Sequence, residues 1–283
     1  MAKTPLAVIA MLCVVSARAA GPASAPGRAT AFPGWSQLGA PDDPLDGLTR
    51  DGEDLRDAYA APPSAAWLMR GLRQPDLTAR LEAVREAARP RNAEAIGPLS
   101  GLLLRLDQPA SLRAAAALGL GRVGDRSAQP SLSQALCDPD ASVRASAAIA
   151  LGRLRAREAS ADLEHALLRD PAWTVRYAAA VALGKFPGSD VPLCASLSAD
   201  PAWQVRQQAA RSLQARPTPA SRRALVAALL DPDASVRASA AFSIGEIGTR
   251  AERRALSLAL RVETDPAARL LMREALRSAL AKP

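Results

Sequence analysis

From Ala65 to the end of the chain one arrangement of apolar and polar positions recurs. Asp107, Asp138, Asp170, Asp200 and Asp231 follow one another at separations of 31, 32, 30 and 31 residues. Six residues after each aspartate stands an arginine: Arg113, Arg144, Arg176, Arg206 and Arg237. The residue before that arginine is always aliphatic (Leu112, Val143, Val175, Val205, Val236), and an alanine pair such as Ala147-Ala148 or Ala240-Ala241 comes after it. Further on stands Leu120, Leu151, Leu183, Leu213 or Ile244, followed in four of the five by Gly121, Gly152, Gly184 or Gly245. Self-similarity at such a period marks a solenoid, in which each unit buries its apolar face only against its neighbours. Weaker copies, one around Gln74 and Arg80 and one after Asp265, bring the count to seven.

Each unit reads as two helices. Val143, Ala147, Leu151 and Leu154 fall on one helical stripe, with Gly152 near the end. Asp138-Pro139, Asp170-Pro171, Asp200-Pro201 and Asp231-Pro232 place an aspartate at the expected N-cap and a proline at the first helical position, where a missing N–H costs nothing. The first helix of each pair is shorter and less regular, as in residues 130–137, 161–169 and 221–230. No segment alternates with period two, so strands are not expected. The predicted fold is therefore all-α, an α-solenoid of about seven helical hairpins.

The string Asp-Pro-Asp-Ala-Ser-Val-Arg-Ala-Ser-Ala-Ala at residues 138–148, repeated at 231–241 with its Leu/Ile-Gly sequel, resembles the HEAT repeat of the short phycobilisome-lyase type. That resemblance covers about three quarters of the chain. It implies a curved stack of antiparallel helix pairs, in which the aspartate and the arginine six residues on hydrogen-bond along the stack. The same family holds chromophore lyases, a metal-dependent deoxyhypusine hydroxylase, DNA-repair glycosylases and plain scaffolds, so the fold does not decide the function. Two units depart from the pattern. The fifth has Gln214 and Arg216, then Pro217-Thr218-Pro219, which predicts a bend or a loosening; in the seventh Leu271 replaces the arginine, as suits a terminal unit.

The start of the chain changes the picture in two ways. Lys3, the apolar run from Leu6 to Val15 and Ala17-Arg18-Ala19-Ala20 form a secretory signal with a cleavage site near Ala19/Ala20. The run is too short to span a bilayer. The expectation is an exported protein, periplasmic or secreted, with no transmembrane segment after cleavage. Residues 21–64, rich in Pro, Gly, Ala and Asp, lack any sustained apolar period and read as a disordered leader. Charge divides unevenly: residues 1–20 hold two basic and no acidic residues, and residues 21–64 three basic and seven acidic. Of the 36 basic and 28 acidic residues, 31 and 21 remain for residues 65–283, a net of +10.

Catalytic chemistry finds few of the groups it needs. His165 is the single histidine, and one imidazole cannot build the multi-ligand site that iron or zinc requires. No nucleophile-elbow serine or phosphate-binding glycine loop is present, and Asp42-Asp43 lie in the leader. The chain thus reads as no enzyme, with no cofactor and no metal. Cys137 and Cys194 lie two repeats apart, too far to bridge, and read as small core residues.

The Asp/Arg series (Asp107, Arg113, Asp138, Arg144, Asp170, Arg176, Asp200, Arg206, Asp231, Arg237) reads as a structural ladder, because buried charges persist when paired. The contact surface is sought on the second helices. Position fifteen after the aspartate supplies Arg122, Arg153 and Lys185, position eleven includes Arg211 and Phe242, and position seven includes Tyr177 and Gln207. Position eleven has a second reading, as packing of repeat on repeat. Trp173 and Trp203 occupy the same place in adjacent repeats and read either as an exposed indole pair or as staples of their helix starts. The function expected is an exported, non-catalytic scaffold binding a protein partner along the concave face. The alternative is a binder of an anionic polymer or acidic membrane or wall surface through the basic face. Nucleic acid is disfavoured by the export signal, and a lyase- or hydroxylase-like enzyme by the missing ligands.

Overall fold

The computed structural model describes residues 62–281, Arg216 excepted. The expected signal sequence and the expected leader before Pro62 lie outside the described residues. The described chain forms seven antiparallel hairpins and contains no strand. They are α1 (Ala65–Gly71) with α2 (Leu77–Ala87), α3 (Ile96–Leu103) with α4 (Ala110–Val123), and α5 (Gln129–Ala135) with α6 (Ala141–Leu154). α7 (Ser160–Arg169) pairs with α8 (Trp173–Leu183), α9 (Asp190–Ala199) with α10 (Trp203–Ser212), α11 (Pro219–Ala228) with α12 (Ala234–Ile247), and α13 (Arg250–Val262) with α14 (Pro266–Ala281). None is long and apolar enough to cross a membrane.

The core lies between the two helices of every hairpin. Val143, Ala147, Leu151 and Leu154 of α6 are buried, as are Val175, Ala179 and Leu183 of α8 and Phe186 just beyond it. Against them pack Leu132 of α5, Leu163 and Leu167 of α7, and Leu193 and Leu197 of α9, all buried. Each such leucine contributes about 1.5–3 kcal/mol by leaving water.

The even-numbered helices lie directly on one another. A Cβ added to Gly121 would stand 2.8 Å from Ala150 Cα, and one added to Gly152 would stand 2.8 Å from Ala182 Cα. Gly245 meets the carbonyl oxygen of Ala275 at the same distance. The repeated glycine is therefore a contact point between successive even helices, where only a hydrogen fits. The odd helices touch their neighbours more sparsely. At the fifth repeat Gln214 takes the glycine's place, and α10 stops at Ser212 with a single 3-10 turn, Leu213–Ala215, after it. Serine hydroxyls make the links there: Ser212 Oγ donates to Ala180 O (2.8 Å) and Ser243 Oγ to Ala210 O (3.0 Å).

Two expectations need correction. The aspartates of the Asp-Pro pairs do not cap their helices, which begin three residues later. Asp140 and Asp233 are the side-chain caps of α6 and α12, accepting from Ser142 N and Ser235 N, while α8 and α10 start behind Ala172 and Ala202 with no side-chain cap. Cys137 is not a core residue: α5 ends at Ala135, which leaves it exposed in the following turn. Cys194, half-buried on α9, packs against the core, and both thiols are free. Two residues just before Ala65 take part in the first hairpin. Ser64 caps α1 by accepting from Trp67 N, and the buried Asn92 donates to Pro63 O (3.0 Å) and Ala87 O (2.9 Å).

Candidate interaction surface

The charged series sorts itself into rungs that run from one hairpin to the next. Arg113 reaches Asp138 (2.8 Å), Arg144 reaches Asp170 (2.7 Å), Arg176 reaches Asp200 (2.7 Å) and Arg206 reaches Asp231 (2.8 Å). Each guanidinium makes a two-pronged contact, through Nε and Nη2, with both carboxylate oxygens, the geometry that makes arginine the residue for such sites. Its Nη1 turns back to the loop of its own repeat, as from Arg176 to Asp170 O and Pro171 O. The aspartate in turn accepts from the backbone N–H two residues on, as Asp200 does from Ala202 (2.9 Å). One rung thus fixes a helix entry on either side of a hairpin boundary. The arginine's carboxylate partner is that of the following repeat; its own repeat supplies only carbonyls.

Asp107 is not a rung. It is exposed and pairs with the exposed Arg105 (2.6 Å), whose hydrogen bond, with one from Gln108, holds the Asp107 carboxyl down at about 2. The reason is local: two residues after Asp107 stands Pro109, which has no N–H with which to turn the carboxylate inward. Arg80 takes the amide oxygen of Gln108 in its stead (3.2 Å). At the other end the ladder closes on a residue that the repeat alignment does not mark. Arg237 pairs with Glu263 (2.6 Å), whose side chain is almost fully buried. Their separation of 26 residues matches that of Arg144 and Asp170, which is the signal that would have found it.

Glu263 carries a pH prediction. The hydrogen bonds from Arg237, against the opposing effect of burial, hold its carboxyl below the ordinary glutamate value of 4.5. A carboxylate depressed on folding stabilises fully above its unfolded value and loses that contribution as pH falls through the folded one. Urea midpoints measured from pH 7 to pH 3 should therefore fall more steeply for the native chain than for Glu263→Gln, which should already be the less stable of the two at pH 7. Equal slopes would remove Glu263 from the acid response.

The candidate contact residues line the half-exposed flank of the even helices. Arg122, Arg153, Lys185, Tyr177, Gln207, Arg211 and Phe242 are all half-buried, on successive helices from α4 to α12 and, for Lys185, just past the end of α8. They do not project freely as outer-flank residues would. The Arg153 stem lies across Gly121, 3.5 Å from where a Cβ there would be, an apolar stem laid on a neighbour. At position eleven Leu118 is buried and Ile149 packs against the core, as Tyr177 does at position seven. Burial lowers the Arg211 guanidinium, and Tyr177 acts on it in the opposite direction. Trp173 and Trp203 are the first residues of α8 and α10, 36% and 40% exposed, where α4, α6 and α12 begin with Ala110, Ala141 and Ala234.

His165 lies exposed on α7. Among the described residues no group of three His, Cys, Asp or Glu side chains is placed to hold a metal ion.

The sequence pattern that defines HEAT repeats matches residues 99–184 and 191–277. No protein of curated function matches the chain. Among solved structures, the complex of CpcE and CpcF of phycocyanin lyase from Nostoc sp. is 22% identical, with 89% of this chain and 100% of that one covered and a TM-score of 0.49. YibA of E. coli is 18% identical over 91% of this chain and 100% of its own, with a TM-score of 0.52. Human deoxyhypusine hydroxylase is 20% identical over 88% and 98%, with a TM-score of 0.36.

Proposed function

Because this chain belongs to the HEAT-repeat family, we propose that it is an exported, non-catalytic scaffold that holds a protein partner along the row of its even helices. The even helices make the closer stack, meeting at the repeated glycines, and that row is taken as the concave side. The observation that carries the reading is the tryptophan pair. Two large aromatic side chains stand exposed at the same register of adjacent even helices, where three other repeats carry alanine, and exposed indoles are among the side chains that most often anchor protein interfaces. Arg122, Arg153 and Lys185 border the apolar positions of the same row and suit an acidic rim on the partner. The non-catalytic part of the reading rests on the single, exposed histidine. The export part rests on the signal sequence.

The second reading, a binder of an anionic polymer or acidic surface, draws on the net charge of +10 for residues 65–283. Salt separates the two, since screening weakens exposed charge pairs more than apolar contact. Immobilised full-length protein, incubated with envelope extract at low and at high salt, should retain one protein at both. The Trp173→Ala/Trp203→Ala variant should lose it while keeping its helical circular dichroism. Promiscuous recovery that vanishes at high salt and ignores the tryptophans would overturn the scaffold reading.

A further inference from the structure

The last hairpin has a recess of its own. Between α13 and α14 lies an open basin of about 730 Å³, lined by Arg250, Arg253, Arg254, Ser257, Leu276 and Leu280. The four α13 residues are spaced three, four and seven apart and so share one helix face. Leu276 and Leu280, one turn apart on α14, supply the apolar wall.

The charges of this basin are not balanced by the hairpin that carries them. Three of its four acids are engaged elsewhere: Glu252 closes the capping box with Thr249, Glu263 holds Arg237, and Asp265 accepts from Ala268 N; the fourth, Glu274, stands two residues from Leu276 on α14 and so on another face of that helix. Among the described residues no acid pairs with Arg250 or Arg254, both exposed. Arg253 is fixed by donating to Ala279 O (2.8 Å), which leaves its Nε buried without an acceptor. Three cations at the N-terminal end of α13 also oppose the helix dipole, which favours anions there. The arrangement disfavours the empty helix and favours a bound anion.

We propose that this basin binds an acidic, leucine-bearing segment of a protein, with carboxylates on Arg250, Arg253 and Arg254 and an aliphatic side chain against Leu276 and Leu280. The basin is open to solvent, which suits an extended segment of chain laid across it better than an enclosed small molecule. A bilayer surface fits less well, because of the two apolar wall residues only Leu280 is exposed while Leu276 is half-buried in the recess, so a single leucine would reach the acyl chains. Nucleic acid fits less well too, since the lining holds no aromatic ring on which a base could stack. The basin is remote in sequence from the tryptophan pair, so this proposal and the scaffold reading stand or fall separately.

The probe is a fluorescein-labelled peptide of alternating glutamate and leucine, with a second peptide in which glutamine replaces every glutamate. Fluorescence anisotropy with the full chain should show binding of the first and about tenfold weaker binding of the second. Arg250→Gln/Arg254→Gln should weaken the acidic peptide by about tenfold as well. Both side chains are exposed, so the variant's melting curve should match the native one, and Leu280→Asp provides an independent loss through the apolar wall. The proposal is overturned if the double variant binds like the native protein. It is equally overturned if Arg153→Gln/Lys185→Gln abolishes binding, which would place the peptide on the even-helix row. Capture of phosphatidylglycerol vesicles in a manner that needs Arg250 and Arg254, with no binding of the peptide, would assign the basin to a lipid surface and defeat the proposal.

Discussion

Arg176→Ala should lower the stability of the folded chain by about 3 kcal/mol, because it strands a buried carboxylate. The Arg176 side chain is 11% exposed and that of Asp200 is 5% exposed, so neither charge regains water when the other is removed. The loss extends past the pair. Arg176 also donates to Asp170 O and Pro171 O, and Asp200 orients the entry of α10 through Ala202 N. In a stack whose hairpins contact only their neighbours, the damage falls on one interface. Urea denaturation should report the free-energy loss, and hydrogen exchange should show the hairpins from α9 onward opening more readily than those before α7. Adding Asp200→Asn, which removes the stranded charge but leaves an acceptor for Ala202 N, should make the double variant less destabilised than the two single losses added together. Arg105→Ala is the matched control: it removes an equally short pair, 62% and 59% exposed, and should leave the melting temperature unchanged. A silent Arg176→Ala would mean that the ladder does not hold the stack.

The fold was legible because five repeats repeat the same compromise. The aliphatic residue before each arginine, the alanine pair and the leucine or isoleucine that follows them recur because they pack one surface shared by all hairpins. Less legible was how the loops close. Asp-Pro resembles a helix start, and the helix does start nearby, but the carboxylate is drawn away by the arginine of the preceding repeat. That long-range contact overrides the local capping preference. Asp107 shows the reverse, since its spacing fits the series and Pro109 excludes it. Glu263 escaped the alignment because glutamate stands where the other repeats have aspartate. The contact surface was hardest to read. Periodicity separates buried from exposed faces, but Arg153 and Tyr177 lie half-buried against neighbouring repeats, and no pattern in one helix predicts what the next helix lays against it. The basin between α13 and α14 had no repeat to reveal it, because its arginines belong to the last hairpin alone.

Gly152→Val should destabilise by about 3 kcal/mol, at the upper end of what overpacking costs, because the added side chain meets backbone. A Cβ on Gly152 would lie 2.8 Å from both Cα and Cβ of Ala182, and a main-chain atom in the next helix cannot rotate aside. Two further methyl groups enlarge the clash, so α8 must shift away from α6. That shift would pull on Arg144, whose guanidinium is held both by Asp138 O and Pro139 O of its own repeat and by Asp170 across the boundary. Glycine and ladder are thus two constraints on one spacing. Gly101 is the control within the same architecture. It lies inside α3 with nothing within 4 Å of the added Cβ, so Gly101→Ala gains helix propensity without a clash and should stabilise by about 0.5–1 kcal/mol. Gly184→Ala should fall between the two: the Ser212 hydroxyl can turn aside once its bond to Ala180 O is given up, but Ser212 Cβ, 2.9 Å from the added Cβ, cannot, so α10 must still yield slightly. Thermal and urea melts of the three variants should rank them in that order. If Gly152→Val melts with the native protein, the even helices are free to slide, and the repeated glycine serves the turn after each helix instead of the contact between helices.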